Sequence, residues 1–225
     1  KVELQVYGFS LPEKTKLITY MNVSKHSLAS FYHKDASSPE IDKLTQTYYD
    51  FLYAHRMEPW FNDQLEPKIS VSGDNIKVTF DDARYDYYMN KLKSNRVLLD
   101  AYPSVLKRQI SDEKFSASFN KKMKSYLSQV ESYFSKHGWR DRLVFNSPID
   151  EPNTKEDYEE TRQWAKLVRE ATSSRVPFLA TESPVTDNPD WGTLRGYVNS
   201  FSIHGNALND HEVKAAIKEE QAKGG

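Results

Sequence analysis

Short apolar segments with strand character alternate along this chain with longer segments of helical periodicity, and this alternation limits the folds open to it. The strand-like segments are LITYM, RMEPWF, VLLDAYP, RLVFNSPI, PFLATES and YVNSFSI. Helical segments of about 10 to 25 residues separate most of them. Such alternation favours parallel βαβ units, and therefore either a barrel or a doubly wound sheet.

Helix-boundary signals support the same pattern. Ser38 and Pro39 open one predicted helix, and Thr154 is the predicted N-cap of another. The longest helix is expected from about Asp112 to Lys136, with Gly138 ending it. A final helix is predicted from residue 209 onward, whereas the segment 71–82 has the composition of a polar interruption.

We expect an α/β chain with a (β/α)8 TIM-type barrel that is incomplete at its C-terminal end. The 225 residues fall a little short of the roughly 250 of a typical barrel. Six candidate strands precede a terminal helix, where a closed barrel needs eight strands. Either the last barrel strands are missing or the sheet is open. Residues 1–12 are interpreted as the tail of a preceding domain, and 13–225 as the barrel.

Composition narrows the classes of partner. Lys and Arg number 31 against 32 Asp and Glu, so the net charge of −1 provides no field for nucleic acid or an anionic membrane. The chain has no cysteine, which excludes disulfides and thiolate sites. The six histidines are scattered, and no apolar stretch has the length of a membrane span. We therefore predict no metal, no cofactor and no membrane span, and leave the oligomeric state open.

An adjacent pair of carboxylates is the strongest chemical signal. Asp150 and Glu151 follow a predicted strand and precede Pro152, and barrel enzymes carry their active sites at that end of the strands. In a partly desolvated cleft, mutual repulsion keeps one such group protonated beside an ionised partner. Glycosidic cleavage uses that combination. The competing interpretation, given equal weight on spacing alone, is an acid-rich helix start capped by Thr154.

The surroundings of this pair resemble a known family. A Trp-x-Asp-Arg turn after a long helix leads into a strand ending in Asp-Glu-Pro, within WRDRLVFNSPIDEPNTKEDYEETRQWAKLVREA. TYYDFLYAHRMEPW lies upstream, and VPFLATE and WGTLRGYVNSFSIHG lie downstream. The order and spacing of these segments resemble the catalytic domain of glycoside hydrolase family 123 and its uncharacterised relatives, over most of the chain from about Leu11.

This resemblance implies a β-N-acetylgalactosaminidase, acting on a terminal β-linked N-acetylhexosamine with retention by substrate assistance. Glu151 would be the general acid and later base, and Asp150 would orient the acetamido group. The resemblance also implies that residues 1–12 end a β-sandwich domain. Exported bacterial proteins often lack cysteine, as this chain does, so we expect an extracellular or cell-surface location in a bacterium. Two alternatives stay open: a non-catalytic carbohydrate-binding or surface barrel protein, and a glycosidase of another substrate class that uses Glu151 as acid.

Other residues near predicted strand ends are candidates for sugar binding, each with a structural alternative. Aromatic residues mostly serve packing, cations near a helix C-terminus serve as caps, and Glu182 or His204 could simply end a loop. The candidates for substrate binding are Asn22, His55, Arg56, Trp60, Tyr102, Trp139, Glu182, Trp191 and His204.

Overall fold

The chain forms two compact units in a computed structural model. The described residues are 3–5, 8–10, 19–173, 175–186 and 188–223. The first unit comprises Lys1–Phe61 with Tyr87–Asn95, and the second comprises Asn62–Asp86 with Arg96–Gly225. Half of the residues interpreted as a preceding-domain tail, 1–12, lie outside the described residues. That domain assignment stays a prediction.

The first unit contains a parallel strand pair joined through helices. Its elements are β1 (Tyr20–Met21), α1 (Lys25–Phe31), α2 (Pro39–Ala54), β2 (Glu58–Pro59) and a π-helical segment (Tyr87–Lys91). β1 pairs in parallel with β2, Tyr20 opposite Glu58. Ile41, Tyr49 and Leu52 are buried on one side of α2.

Helix α2 begins and ends through local capping. The Ser38 hydroxyl accepts the Ile41 N–H, and Pro39 occupies the first turn, as the sequence predicts. At the other end, the Met57 N–H donates to the Leu52 carbonyl and the Arg56 N–H to the Tyr53 carbonyl. This is a Schellman arrangement, and it accounts for the left-handed backbone of Arg56 at φ 59°.

The second unit combines a hairpin with a parallel sheet and its helices. Its strands are β3 (Lys68–Ser72), β4 (Asn75–Thr79), β5 (Val97–Asp100), β6 (Leu143–Asn146), β7 (Phe178–Ala180) and β8 (Ser200–Phe201). Its helices are α3 (Asp82–Asp86), α4 (Ser104–Gln109), α5 (Ala117–Lys136), α6 (Lys155–Ala171) and α7 (His211–Ala222).

The four-stranded sheet of this unit is entirely parallel and runs in chain order, β5-β6-β7-β8. Its strands are short apolar runs such as Val97–Leu99 and Leu143–Phe145, all buried. Continuous apolar runs are typical of parallel strands covered on both faces. The parallel βαβ pattern read from the sequence is therefore confirmed for this part of the chain.

Helix α5 supplies the largest apolar stripe of the second unit. Six of its side chains are buried at helical spacing: Phe119, Met123, Tyr126, Leu127, Val130 and Phe134. α5 packs against α6 and β4. The predicted start at Asp112 was wrong, because Phe115 has φ 62° and Ser116 caps the helix at Ala117. The predicted stop is confirmed: Gly138 has φ 74°, and its N–H donates to the Ser135 carbonyl.

The interpretation of residues 71–82 as a polar interruption was also wrong. β3 and β4 form an antiparallel hairpin, with Ser72 opposite Asn75 across a two-residue Gly73-Asp74 loop. Gly73 takes φ 57°, the left-handed geometry that such loops require. The chain is thus a mixed α/β protein with parallel sheet segments, and the residues that the structure describes form no closed barrel. Among them, no helix combines the length and apolarity needed to cross a membrane.

Candidate functional site

The carboxyl edge of the four-stranded sheet gathers polar side chains from successive strands. Asp100 is the last residue of β5, Asn146 is the last of β6, and Thr181 follows β7 directly. The strands are parallel, so their carboxyl ends lie along one edge of the sheet. Parallel α/β sheets build their ligand sites at this edge.

Asp150 and Glu151 lie beyond the end of β6, on a turn rather than on the strand. Both are exposed. The Thr181 hydroxyl donates to Asp150 Oδ1 at 2.7 Å and accepts the Glu151 backbone N–H at 2.8 Å. Glu151 has φ 46°, in the left-handed region. The chain therefore bends at the pair, which is the condition for two adjacent residues to serve one ligand.

The helix start next to this turn is formed by other residues. The Thr154 hydroxyl accepts the Asp157 N–H at 3.1 Å and donates to Asp157 Oδ2 at 2.7 Å. The acidic residues in the first turn of α6 are Glu156 and Asp157. Thr154 is thus the N-cap, as predicted. Asp150 and Glu151 precede the cap, on the turn that leads into α6, so the helix-entry alternative stays open beside the catalytic one.

Asp100 is a third carboxylate at the same edge, and it was not among the residues predicted from the sequence. Burial raises its pKa above the usual aspartate range, while the Asn146 amide and the charge of Lys107 act in the opposite direction. The Asn146 Nδ2 group donates to Asp100 Oδ1 at 3.3 Å. The position of Asp100 at the end of the VLLD strand was a signal equal to that of Asp150, and it could have been found by the same rule.

Two of the aromatic residues predicted to bind substrate are packing residues in the second unit. Tyr102 and Trp139 are 8% and 6% exposed. The Tyr102 ring lies 5.1 Å from that of Trp164, and Trp139 stacks on His137 at 4.8 Å. Rings this deeply buried cannot present a face to a sugar, so the packing alternative is favoured for both.

The remaining candidates of the second unit are more accessible. Trp191 is half-buried, contacts the Tyr158 ring at 5.4 Å and lies in a short 3-10 turn. The Glu182 carboxylate accepts the N–H of Ser183. His204 is exposed, and its Nδ1 accepts the Asn206 N–H at 3.4 Å. Glu182 and His204 follow β7 and β8, so both occupy the carboxyl edge that carries Asp150.

The four candidates of the first unit divide between the two ends of its strand pair. Asn22 follows β1 and is exposed, and Trp60 follows β2 with its ring 5.3 Å from that of Tyr20. His55 and Arg56 precede β2 instead. His55 is the C-cap of α2, with Nδ1 2.8 Å from the Phe51 carbonyl oxygen. The capping alternative therefore describes what His55 does in this structure.

A buried carboxylate in the first unit was also missed. Glu58 of β2 is 4% exposed. Its Oε2 accepts the Ser94 hydroxyl at 2.8 Å, and its Oε1 accepts the Asn95 N–H and amide at 2.9 and 2.7 Å. Through these hydrogen bonds, Glu58 connects β2 to residues 94 and 95, which follow the π-helical segment. We interpret it as a structural anchor.

The described residues contain no group of His, Cys, Asp or Glu arranged to hold a metal ion. Comparison with known proteins adds no assignment: no protein-family model matches the chain, and the curated proteins contain no significant match to it.

Proposed function

We propose that the chain is a glycoside hydrolase that removes a terminal β-linked N-acetylhexosamine, with N-acetylgalactosamine favoured. The observation that carries the proposal is the pair Asp150 and Glu151 on one bent turn at the carboxyl edge of a parallel sheet. The family resemblance around this turn supplies the substrate class. It also suggests that a bacterial cell exports the enzyme to act on extracellular glycans.

The geometry of the turn allows Asp150 and Glu151 to act on different atoms of the substrate. Asp150 Oδ1 is engaged by Thr181, whereas no partner of Oδ2 is found in the described part of the chain. Oδ2 can therefore accept the N–H of a substrate acetamido group. The Glu151 side chain is exposed and has no hydrogen bond or ion pair with any described residue. It is free to reach a glycosidic oxygen.

The proposed reaction is substrate-assisted. Glu151 donates a proton to the leaving glycosidic oxygen while the substrate's acetamido oxygen attacks the anomeric carbon and forms a cyclic oxazolinium. Asp150 holds the acetamido N–H and stabilises the positive charge that develops on the ring. Water then attacks the anomeric carbon as Glu151 takes its proton, and the sugar leaves with its configuration retained.

We also propose that the sheet belongs to a (β/α)8-type barrel. Strand order in the second unit follows the chain, β5-β6-β7-β8, without the reversal that defines a doubly wound sheet. α5 and α6, which follow successive strands, pack on each other and so share one face of the sheet. Helices collected on one face are typical of a barrel, where they form the outer layer.

The test is hydrolysis of an aryl β-N-acetylgalactosaminide by the 225-residue protein and its variants. Glu151→Gln should abolish turnover, and Asp150→Asn should lower kcat by a factor on the order of a hundred or more, as loss of a charge-stabilising group does. Glu156→Gln is the matched control, since Glu156 is exposed in the first turn of α6. Activity close to wild type in either of the first two variants would refute the assignment.

A glycan-binding role without turnover is the second candidate. The observation in its favour is that Asp150 and Glu151 are both exposed, while Tyr102 and Trp139, two predicted walls of a sugar pocket, are buried. A thiazoline that mimics the oxazolinium separates the candidates. Tight binding of the thiazoline together with turnover supports the hydrolase. Binding of the free sugar alone, with no turnover and no preference for the thiazoline, supports the lectin-like role.

A further inference from the structure

Thr181 is placed so that one hydroxyl contacts both residues of the carboxylate turn. We propose that Thr181 is a positioning residue, which holds the Asp150 carboxylate and the Glu151 backbone in their working arrangement. The catalytic meaning of this inference rests on the proposed function. The contacts themselves are independent of it.

The hydroxyl both donates and accepts a hydrogen bond in these two contacts. A threonine hydroxyl has one proton to donate, and it goes to Asp150 Oδ1 at 2.7 Å. One of its lone pairs accepts the Glu151 N–H at 2.8 Å. Removal of this oxygen therefore breaks two hydrogen bonds, one to the Asp150 side chain and one from the Glu151 backbone. No other described side chain bonds to both of these residues.

The left-handed backbone of Glu151 is not imposed by the end of a helix. His33 and Arg56 are also left-handed, but each follows a helix, where bonds such as Lys34 N–H to Ala29 carbonyl impose that geometry. Glu151 follows a strand, and it precedes Pro152, a position that favours extended backbone. At Glu151, the hydrogen bond from its backbone N–H to the Thr181 hydroxyl takes the place of the hydrogen bonds that a helix end provides.

Thr181 can serve as an anchor because its own position is fixed by the sheet. The Ser147 N–H donates to the Leu179 carbonyl at 2.7 Å, and the Ser202 N–H donates to the Ala180 carbonyl at 2.9 Å. β7 is therefore bonded on both sides up to the residue before Thr181. The branched side chain of threonine adds a restricted χ1. The hydroxyl is thus held by a rigid element, and the turn is held by the hydroxyl.

Two variants test the proposal. Thr181→Val keeps the shape and removes the hydroxyl, whereas Thr181→Ser restores it. We expect Thr181→Val to lower kcat on the aryl glycoside by about ten- to a hundredfold, since misplacement of reacting groups costs that order of rate. KM should change by a smaller factor than kcat, because Asp150 also contacts the bound substrate whereas the larger loss falls on the reacting groups. Thr181→Ser should recover most of kcat.

Amide hydrogen exchange, resolved by NMR on the whole chain, provides a readout that needs no activity. The Glu151 amide should exchange at least about tenfold faster in Thr181→Val than in the wild type, and Thr181→Ser should keep it protected. The Ser147 amide, bonded to Leu179, is the internal control for an intact sheet.

The outcomes separate the two proposals. Unchanged exchange of the Glu151 amide in Thr181→Val overturns the positioning role, and so does unchanged kcat in an active enzyme. A wild-type protein that hydrolyses no hexosaminide overturns the proposed function alone. The exchange comparison then still decides whether Thr181 holds the turn.

Discussion

The left-handed backbone of Glu151 leads to a stability prediction that can be stated in numbers. Glu151→Ala and Glu151→Gly both remove the carboxylate, so the difference between them reports the backbone alone. In the left-handed region, steric contacts of the Cβ destabilise a residue by about 1–2 kcal/mol. Glycine avoids these contacts, but the extra conformational freedom of its unfolded state lowers the free energy of unfolding by about 0.5–1 kcal/mol. With φ at 46°, we expect the glycine variant to be roughly 0.5–1 kcal/mol more stable than the alanine variant.

The same pair of substitutions at Lys166 is the control. Lys166 lies within α6, and its side chain is 73% exposed. There the order should reverse, with glycine about 1 kcal/mol less stable than alanine, because helical backbone favours alanine. Urea unfolding, followed by the intrinsic fluorescence of the four tryptophans, two of which (Trp139 and Trp164) are buried in the same unit, measures all four free energies. An alanine variant at residue 151 as stable as the glycine variant would show that the backbone there is not strained.

Two further predictions concern polar groups of the second unit, the half-buried Asp100 and the buried Thr161. Burial raises the pKa of the Asp100 carboxyl, so this carboxyl binds its proton more tightly in the folded chain than in the unfolded chain. The contribution of Asp100 to the free energy of unfolding therefore falls as pH rises from about 4 toward the raised pKa. The free energy of unfolding of Asp100→Asn, measured relative to that of the wild type, should therefore increase from pH 4 to pH 7. A difference between the two proteins that does not change with pH would contradict the burial effect. The Thr161 hydroxyl is buried without a hydrogen-bond partner among the described residues, so Thr161→Val should raise the free energy of unfolding by about 1 kcal/mol; a loss of stability in the same urea assay would show that the hydroxyl is satisfied.

Local signals in the sequence predicted the helix starts well. The starts at Ser38 and Pro39 and at Thr154 were predicted correctly because each cap is formed within four residues. The late start of α5 was missed because Phe115 is apolar and continues the helical spacing, although its backbone is left-handed. Periodicity reports which side chains face the core. It does not report where the backbone leaves the helix.

The hairpin formed by β3 and β4 shows a signal that was present and given too little weight. Ile69, Val71, Ile76 and Val78 alternate with polar residues on either side of the Gly-Asp loop. Two alternating runs joined by such a pair of residues predict a hairpin. The polar composition of the segment obscured this pattern, because in an exposed hairpin every second residue is polar.

The contacts that shape the candidate site could not be read from local sequence. Asp150 and Thr181 are 31 residues apart, and what brings them together is the parallel pairing of β6 with β7. That register sets which residue of the loop after β7 lies opposite the turn after β6. The position of the carboxylate pair beyond a strand follows from the pattern of apolar residues. Its conformation does not, because Glu151 before Pro152 would favour extended backbone in isolation. Here the hydroxyl of Thr181, directly after a neighbouring strand, bonds to both residues of a turn whose backbone departs from the local preference. Backbone strain of this kind persists where the surrounding fold holds it, and it concentrates at functional sites.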